Sequence, residues 1–583
     1  MSVKEKKQTN STFLRLLKYA KSYIPQLTVG LLLVLSITAL DLYRPTVIGA
    51  AIDLFAEGGE MHEIAMLAIK YGVTIFIMFA LNAASAYLIA WTGQTIIYNV
   101  RQEVFQHIQS LSLRFFDITP VGKIVTRVTN DVEALNEMFT SVIINLIKNS
   151  IKIVGLATVM LIYNWKLALL GFALLPVVCV LTYFFRKIAH TTYRIVRTKL
   201  TALNTYLSEH LSGMRVIQVF AKEETKNNEF NDRCEDYFHA SFRELMVFAI
   251  FRPLIYLLSV IALVTILGAG GVSVLNGTIT VGVLYIFTNY ISSFFEPIQE
   301  LAEQFGTLQQ SLASAEKIFT ILDDRTMIMP PEEPVHIENL KGRIEFKNVW
   351  FAYSGEDWIL KDVSFVIEPG TSAAFVGATG AGKSSILNLI GRYYDIQKGS
   401  ITIDGVDIKD ISMDELRRGI GQVQQDVFLF TGDVKGNIRL RSDEISDEVV
   451  KEAAKNVNAD RFIDKLPHGY DEYVTERGST FSAGERQLIS FARTLAYDPK
   501  ILVLDEATAN IDTETESLIQ DALKTLMKGR TTIMVAHRLS TIQHADKIMV
   551  MDNGRLMEQG THQELIALED GIYKKLYEIQ LEQ

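Results

Sequence analysis

The chain has 583 residues, 49% of them hydrophobic and 21% charged, with a mean hydropathy of +0.18 and a formal net charge of −10. That length exceeds one ordinary core, so two or more domains are expected, and the acidic balance argues against a nucleic-acid partner held by bulk positive charge. The two cysteines, Cys179 in an apolar run and Cys234 in a charged stretch, argue against a disulfide framework or a cysteine-based metal site.

The start, "MSVKEKKQTNSTFLRLLKYAKSY", has charge but no apolar core followed by a small-residue cleavage site, unlike a secretory signal. It predicts an amphipathic helix over residues 1–22 lying on a membrane face, with Phe13, Leu14, Leu16 and Leu17 on the apolar side. Six stretches then approach the roughly 20 apolar residues that a bilayer-crossing helix needs: Leu27–Phe55, Ile64–Trp91, Phe139–Tyr163, Leu167–Phe185, Met246–Leu275 and Ile279–Leu301. Residues 23–322 are accordingly read as a six-span domain. The connections alternate between short ones and two long, Lys/Arg-rich segments of helical pattern, Arg101–Glu137 and Arg186–Glu244. With a basic N-terminus, the positive-inside rule puts that end, both long segments and the C-terminal domain in the cytoplasm. Six buried helices of a soluble core are the alternative, and the run lengths disfavour it.

Asp41, Arg44, Lys148, Lys152, Arg252 and Glu296 fall inside or near these spans, where an ionisable group is expected to face a partner, a cavity or the interface. The last span carries Tyr285, Phe287, Tyr290, Phe294 and Phe295. These aromatics either line a cavity for apolar or cationic ligands or pack against helices and lipid. A proline- and acid-rich stretch, Asp323–Gly342, reads as a linker to a second domain over residues 343–583.

In that domain an apolar run, "SAAFV", leads into "GATGAGKSS", Gly377–Ser385, and then into a helical pattern. This is a phosphate-binding loop in its strand–loop–helix setting. Gly380 and Gly382 let backbone N–H groups approach phosphate oxygens at a helix N-terminus, Lys383 adds a point charge, and Ser384 offers a hydroxyl to Mg²⁺. Downstream, the apolar run Ile501–Leu504 ends in Asp505, placed for the Mg²⁺ shell, and Glu506, placed to polarise an attacking water. A further apolar strand in "TTIMVAHR" delivers His537 at its end, where α/β sheets put their ligand sites.

With these motifs in order, the chain resembles an ABC exporter half-transporter over nearly its whole length. The resemblance implies a polytopic α-helical membrane domain of six transmembrane helices followed by an α/β P-loop ABC nucleotide-binding domain, with ATP and Mg²⁺ as cofactors. Tyr353 in "FAYSG" resembles the aromatic that stacks on adenine, and Gln425 in "GQVQQDVFLF" the glutamine that reaches Mg²⁺ and the attacking water. Asp512 in "ANID" resembles the D-loop aspartate. The family likeness extends phosphate binding over Gly377, Thr379, Gly380, Ala381, Gly382, Lys383, Ser384 and Ser385, and gives Glu506, His537 and Gln425 the catalytic roles. "RFFDITPVGKIVTRVTNDVEAL", Arg114–Leu135, and "LSGMRVIQVFAKE", Leu211–Glu223, resemble the two cytoplasmic coupling regions.

The signature, "FSAGER", departs from the family's LSGGQ: Ser482 and Gly484 stand, but Ala483 replaces a glycine and Glu485 a glutamine. In the family's head-to-tail dimers each signature faces the nucleotide held by the other P-loop, so a carboxylate there is unfavourable near a polyanion. The profile is that of the subunit with intact catalytic residues in a heterodimeric multidrug exporter. The alternative is a homodimer that tolerates both replacements. No internal repeat supplies a second half, so another chain is expected to do so. The implied activity is ATP-driven export of amphipathic small molecules across the plasma membrane, with lipid or peptide export as the alternative. A membrane-anchored regulatory ATPase is disfavoured by the six-span architecture, and a P-loop kinase by the signature and His537.

Overall fold

The computed structural model describes residues 12, 14–16, 18–505, 513–535 and 542–581. Contacts divide the chain into two units. One holds Met1–Gln109 with Val121–Asp324, the other Ser110–Pro120 with Arg325–Gln583.

The first unit is helical: Ile24–Ala56, Met61–Ser110, Ile143–Tyr163, Leu175–Ser212, Glu223–Leu275 and Val281–Leu322 are its long elements. At about 1.5 Å per residue, the 50 residues of Met61–Ser110 and the 53 of Glu223–Leu275 outrun a hydrocarbon core of about 30 Å. The long polar segments are thus helical continuations of the spans. Among the described residues, five helices are long and apolar enough to cross a bilayer. Val281–Leu322 covers the sixth expected span but falls outside that group, because Thr288, Asn289, Ser292, Ser293 and Glu296 dilute its apolar residues.

That helix is instead the centre of the unit. Phe287, Tyr290, Phe294 and Phe295 are each no more than 3% exposed, packed with Leu156, Met160 and Ile266. Of the two readings of these aromatics, helix packing holds for these four, and the cavity wall does not. Backbones meet where Gly282 crosses Gly49: a Cβ on Gly282 would lie 2.0 Å from the Gly49 carbonyl oxygen. Small residues permit such approach between apolar helices. Asp53 caps the same helix, accepting from the Gly282 N–H and the Thr280 hydroxyl at 2.6 Å each.

Most of the ionisable residues singled out at membrane depth have partners. Lys152 lies 3.2 Å and Arg44 3.7 Å from Asp41, and Arg252 lies 3.4 Å from Glu303. Pairing is what a low-dielectric surrounding demands of charge. Ahead of the third span and at its start, two turns of π-helix, Arg127–Asp131 and Met138–Val142, interrupt the third long helical stretch. In the first, buried Asp131 receives the Ser314 hydroxyl at 2.7 Å and pairs with Arg127 and Lys317. At the N-terminus, Leu16 is buried and Leu14 exposed, so the two do not share the single apolar face expected of them; Phe13 and Leu17 lie outside the described residues.

The second unit is built on strands β1 (Ile344–Phe351), β2 (Leu360–Ile367), β3 (Ser372–Val376), β4 (Lys398–Ile403), β5 (Val406–Asp407), β6 (Ile420–Val423), β7 (Gly432–Asp433), β8 (Tyr473–Val474), β9 (Ile501–Asp505), β10 (Thr531–Val535), β11 (Lys547–Asp552) and β12 (Arg555–Gly560). An antiparallel sheet runs β2-β1-β4-β5, and the main sheet runs β12-β11-β3-β10-β9-β6. β3 and β10 are buried at every residue, as strands covered on both faces must be. In the parallel registers Val535 lies beside both Phe375 and Asp505, and Val423 beside Leu504. The C-terminal ends of β3, β10, β9 and β6 therefore form one edge.

Candidate nucleotide site

That edge collects the site. β3 delivers the loop Gly377–Ser384, β9 ends at Asp505, and Gln425 follows two residues after β6. Open α/β sheets bind ligands at this end because their helix N-termini point there. The loop geometry requires glycine at two places. Gly377 has φ 150° and lies so close to β11 that a Cβ would sit 2.1 Å from the Met551 carbonyl oxygen. Gly382 caps the helix Lys383–Ile390 at φ 98°, with Leu360 only 2.7 Å from where a Cβ would be. Any side chain at either position would strain the backbone and push the loop off the strands.

Lys383 is buried, and its Nζ donates to the carbonyls of Gly377 (2.8 Å) and Ala378 (3.0 Å). The ammonium is thus held by the backbone of the loop itself. Ser384 is exposed on the first turn of the helix, beside exposed Thr379 and Gly380, while Ala381 and Ser385 are buried. Ser384, Asp505 and Gln425 offer only oxygen donors for a metal, which suits a hard ion such as Mg²⁺ that keeps much of its shell as water and phosphate. Among the described residues, no group of three or more His, Cys, Asp or Glu side chains forms a metal cage.

Tyr353 joins this edge through its hydroxyl, 3.1 Å from the Ser385 Oγ. The residue before it is held from the position just ahead of β4: the Gln397 amide both donates to the Ala352 carbonyl (2.9 Å) and accepts from the Ala352 N–H (3.0 Å). Sequence reasoning missed Gln397, since no local pattern joins residues 45 apart. Glu506, Asp512 and His537 lie outside the described residues. Their chain positions, one residue after β9, seven after it and two after β10, follow the ends of the edge strands.

The signature residues stand on a different element. Ser482 is the N-cap of the helix Ala483–Ala496, and Gly484 is buried in its first turn. The structure modifies one expectation here. The Glu485 carboxylate is engaged in a capping box: it accepts the Ser482 N–H at 2.7 Å, while the Ser482 hydroxyl accepts the Glu485 N–H at 3.2 Å. Two of the helix's orphan N–H groups are satisfied by its own side chains. The signal was present in the sequence as S-x-x-E, Ser482 to Glu485.

The comparisons with known proteins agree with this architecture. Residues 27–298 match the model of the ABC transporter transmembrane region, and residues 360–509 the model described as ABC transporter. The chain is 39% identical, over 89% of its length and 77% of the relative's, to the Bacillus subtilis protein named "Probable multidrug resistance ABC transporter ATP-binding/permease protein YheH". It is 35% identical, over 99% of its own length and 96% of the other's, to an ATP-dependent lipid A-core flippase of Syntrophus aciditrophicus. A bacterial Atm1-family ABC exporter, solved with ATP bound, superposes with a TM-score of 0.79 at 28% identity, covering 95% of this chain and 98% of that one. A transmembrane region fused to an ATP-binding domain, matched over 77% to 98% of the length of these relatives, places this multi-pass membrane protein in the ABC exporter family, as a half-transporter whose ATPase drives transport.

Proposed function

We propose that this chain is the catalytically intact subunit of a heterodimeric exporter that moves amphipathic small molecules across the plasma membrane, with its N-terminus and nucleotide unit in the cytoplasm. The observation that carries the heterodimer is the pairing of a well-formed P-loop edge with a signature helix whose N-terminus holds its own carboxylate, Glu485. In a head-to-tail dimer that helix faces the partner's nucleotide. A fixed negative charge there weakens one composite site and leaves the other, built on this chain's P-loop, as the hydrolytic one. Exposed Val216, Val219 and Phe220 around the short helix Met214–Val219 support a partner that covers them.

In this reading the loop amides at Gly380 and Gly382, with Lys383, hold the phosphates, and Tyr353 stacks on the base. Thr379, Ala381, Ser385 and Gly377 shape the loop. Ser384, Asp505 and Gln425 would hold Mg²⁺, which when bound neutralises phosphate charge. Glu506 polarises the attacking water, Gln425 orients it, and His537 steadies the transferred phosphoryl group. Ser482, Gly484 and Asp512 act at the composite site shared with the partner. Nucleotide favours the closed dimer, and hydrolysis removes that preference.

The drug-like substrate rests on the multidrug relative. The flippase relative favours lipid as the second reading. One experiment addresses both catalysis and cargo. In inside-out vesicles containing the native complex, ATP should drive uptake of ethidium, and Glu506→Gln should abolish uptake and reduce steady-state hydrolysis by about 100-fold or more while ATP binding persists. Flipping of a fluorescent phospholipid without ethidium uptake would favour the lipid reading. Substantial turnover by Glu506→Gln would overturn the role given to Glu506.

A further inference from the structure

The main sheet has a second end. β6 and β9 begin at Ile420 and Ile501, which lie side by side in the parallel register. Ile501 stands four residues, about 13 Å of strand, from the nucleotide edge at Asp505. A cavity of about 220 Å³ opens beside this end, and no residue of the nucleotide edge lines it. Its apolar wall includes Ile403, Ile411 and Ile501, each no more than 1% exposed, and from the linker Ile337 and Leu340.

The linker is a strap pinned on both sides of the cavity. On one side the Val335 N–H donates to the Asp410 carbonyl and the Ile337 N–H to Glu415 Oε1, both at 2.8 Å, and His336 Nδ1 lies 3.0 Å from Glu415 Oε2. On the other, the N–H groups of Lys341, Gly342 and Arg343 converge on the Asp404 carboxylate at 2.7 to 3.1 Å. Gly419 leaves room for the strap: a Cβ there would lie 2.5 Å from Leu340 Cδ2. The gap is therefore held between fixed points, although a void in an apolar core costs stability in proportion to its volume. An apolar cavity of about 150 Å³ already accommodates a benzene ring.

The charges around the cavity give it a sign. Both of its carboxylates are committed, Glu415 to the strap and Asp498 to Arg530 Nη2 at 2.7 Å. Its two cations are held loosely. Arg418 meets only Asp414, one helical turn away at 3.3 Å, and Lys500 lies 3.8 Å from the already engaged Asp498. Their side chains are more than half exposed, so these pairings contribute little. An apolar cavity with two available cations at its mouth suits a ring that carries an anion.

We propose that this cavity is a second ligand site of the nucleotide unit, taking a small aromatic carboxylate. The ring lies between the strap residues Ile337 and Leu340 and the buried isoleucines, and the carboxylate meets Arg418 and Lys500 at the mouth. A ligand there adds contacts to the strap, so binding and the seating of the linker favour each other.

Fluorine NMR of para-fluorophenylacetate, added to the intact complex with its nucleotide sites filled by ATP and vanadate, tests this. The probe's line should broaden and recover with excess unlabelled phenylacetate, with a Kd of about a millimolar or tighter. Joint Arg418→Gln and Lys500→Gln, at exposed positions that leave folding intact, should weaken binding about tenfold or more, and added salt should weaken it in the wild type. The same ring without charge, para-fluorobenzyl alcohol, should bind about tenfold more weakly than the acid. Leu340→Trp, which fills the cavity from the strap, should abolish binding while ATP hydrolysis reports an assembled complex. No broadening with the wild type, or equal broadening with Leu340→Trp, would overturn the site. Equal affinities for acid and alcohol, or an unchanged affinity in the double variant, would remove the anion and with it the proposal.

Discussion

Glu485 shows how one side chain can serve fold and function in opposite directions. As the N3 residue of a capping box it stabilises the helix Ala483–Ala496, and a carboxylate near a helix N-terminus is favourable by about 0.3–1 kcal/mol. The same charge opposes a phosphate approaching that terminus. Glutamine at this position still accepts the Ser482 N–H but carries no charge, so Glu485→Gln isolates the electrostatic part. We expect the variant to lower the KM for ATP of the assembled complex about two- to fivefold, at nearly unchanged thermal stability, with the gain shrinking as salt is raised. Ser482→Ala should do the reverse, costing about 1 kcal/mol of helix stability through the lost cap. Thermal unfolding and ATPase titration separate the two; an unchanged KM in Glu485→Gln would remove the electrostatic argument. At this scale much was legible: the phosphate loop follows from glycine spacing, and the cap from S-x-x-E. Gln397 was not, because its partner Ala352 lies 45 residues away and no local pattern joins the two.

Among the elements, the ends of strands were more legible than the roles of helices. Buried runs such as "SAAFV" and "ILVLD" predict parallel strands, and the chemistry follows at their C-terminal ends because parallel register aligns them. The last long helix was read less well. Its aromatics have one composition whether they face a cavity or a core, and only the packing of Phe287, Tyr290, Phe294 and Phe295 decides between them. What fixes that helix is a contact that hydropathy cannot show, the crossing at Gly282 and Gly49. A methyl group on Gly282 would also come within 2.5 Å of the capping Asp53 Oδ2. Gly282→Ala should therefore force the two helices apart and cost about 1–3 kcal/mol, the range for overpacking. In detergent, the variant complex should unfold at lower temperature. Gly271→Ala, where a Cβ would meet nothing within 4 Å, is the control and should unfold like the wild type. Equal stabilities would mean that the crossing relaxes freely.

For the whole molecule, the pairing of chains decides what completes the composite site. The signature helix and the P-loop edge are carried by different elements of one unit, and in ABC half-transporters two chains must pair to join one chain's signature to the other's phosphate loop. Two self-capped signatures in a homodimer would place a Glu485 carboxylate at both nucleotides, and no site would escape the penalty. A heterodimer confines it to one. The complex drawn from source cells by a tag on this chain should therefore have a native mass above that of the 65.6 kDa chain by a second, different half-transporter in equal amount. That partner should hold a signature without the carboxylate and a residue other than glutamate in the place of Glu506, if the weakened site is the one that does not hydrolyse. A mass of twice the single chain would instead mean that a helix terminus already holding its own anion still closes on ATP at both sites. The capping box would then have to open on nucleotide binding, and Glu485→Gln would raise turnover at both sites together.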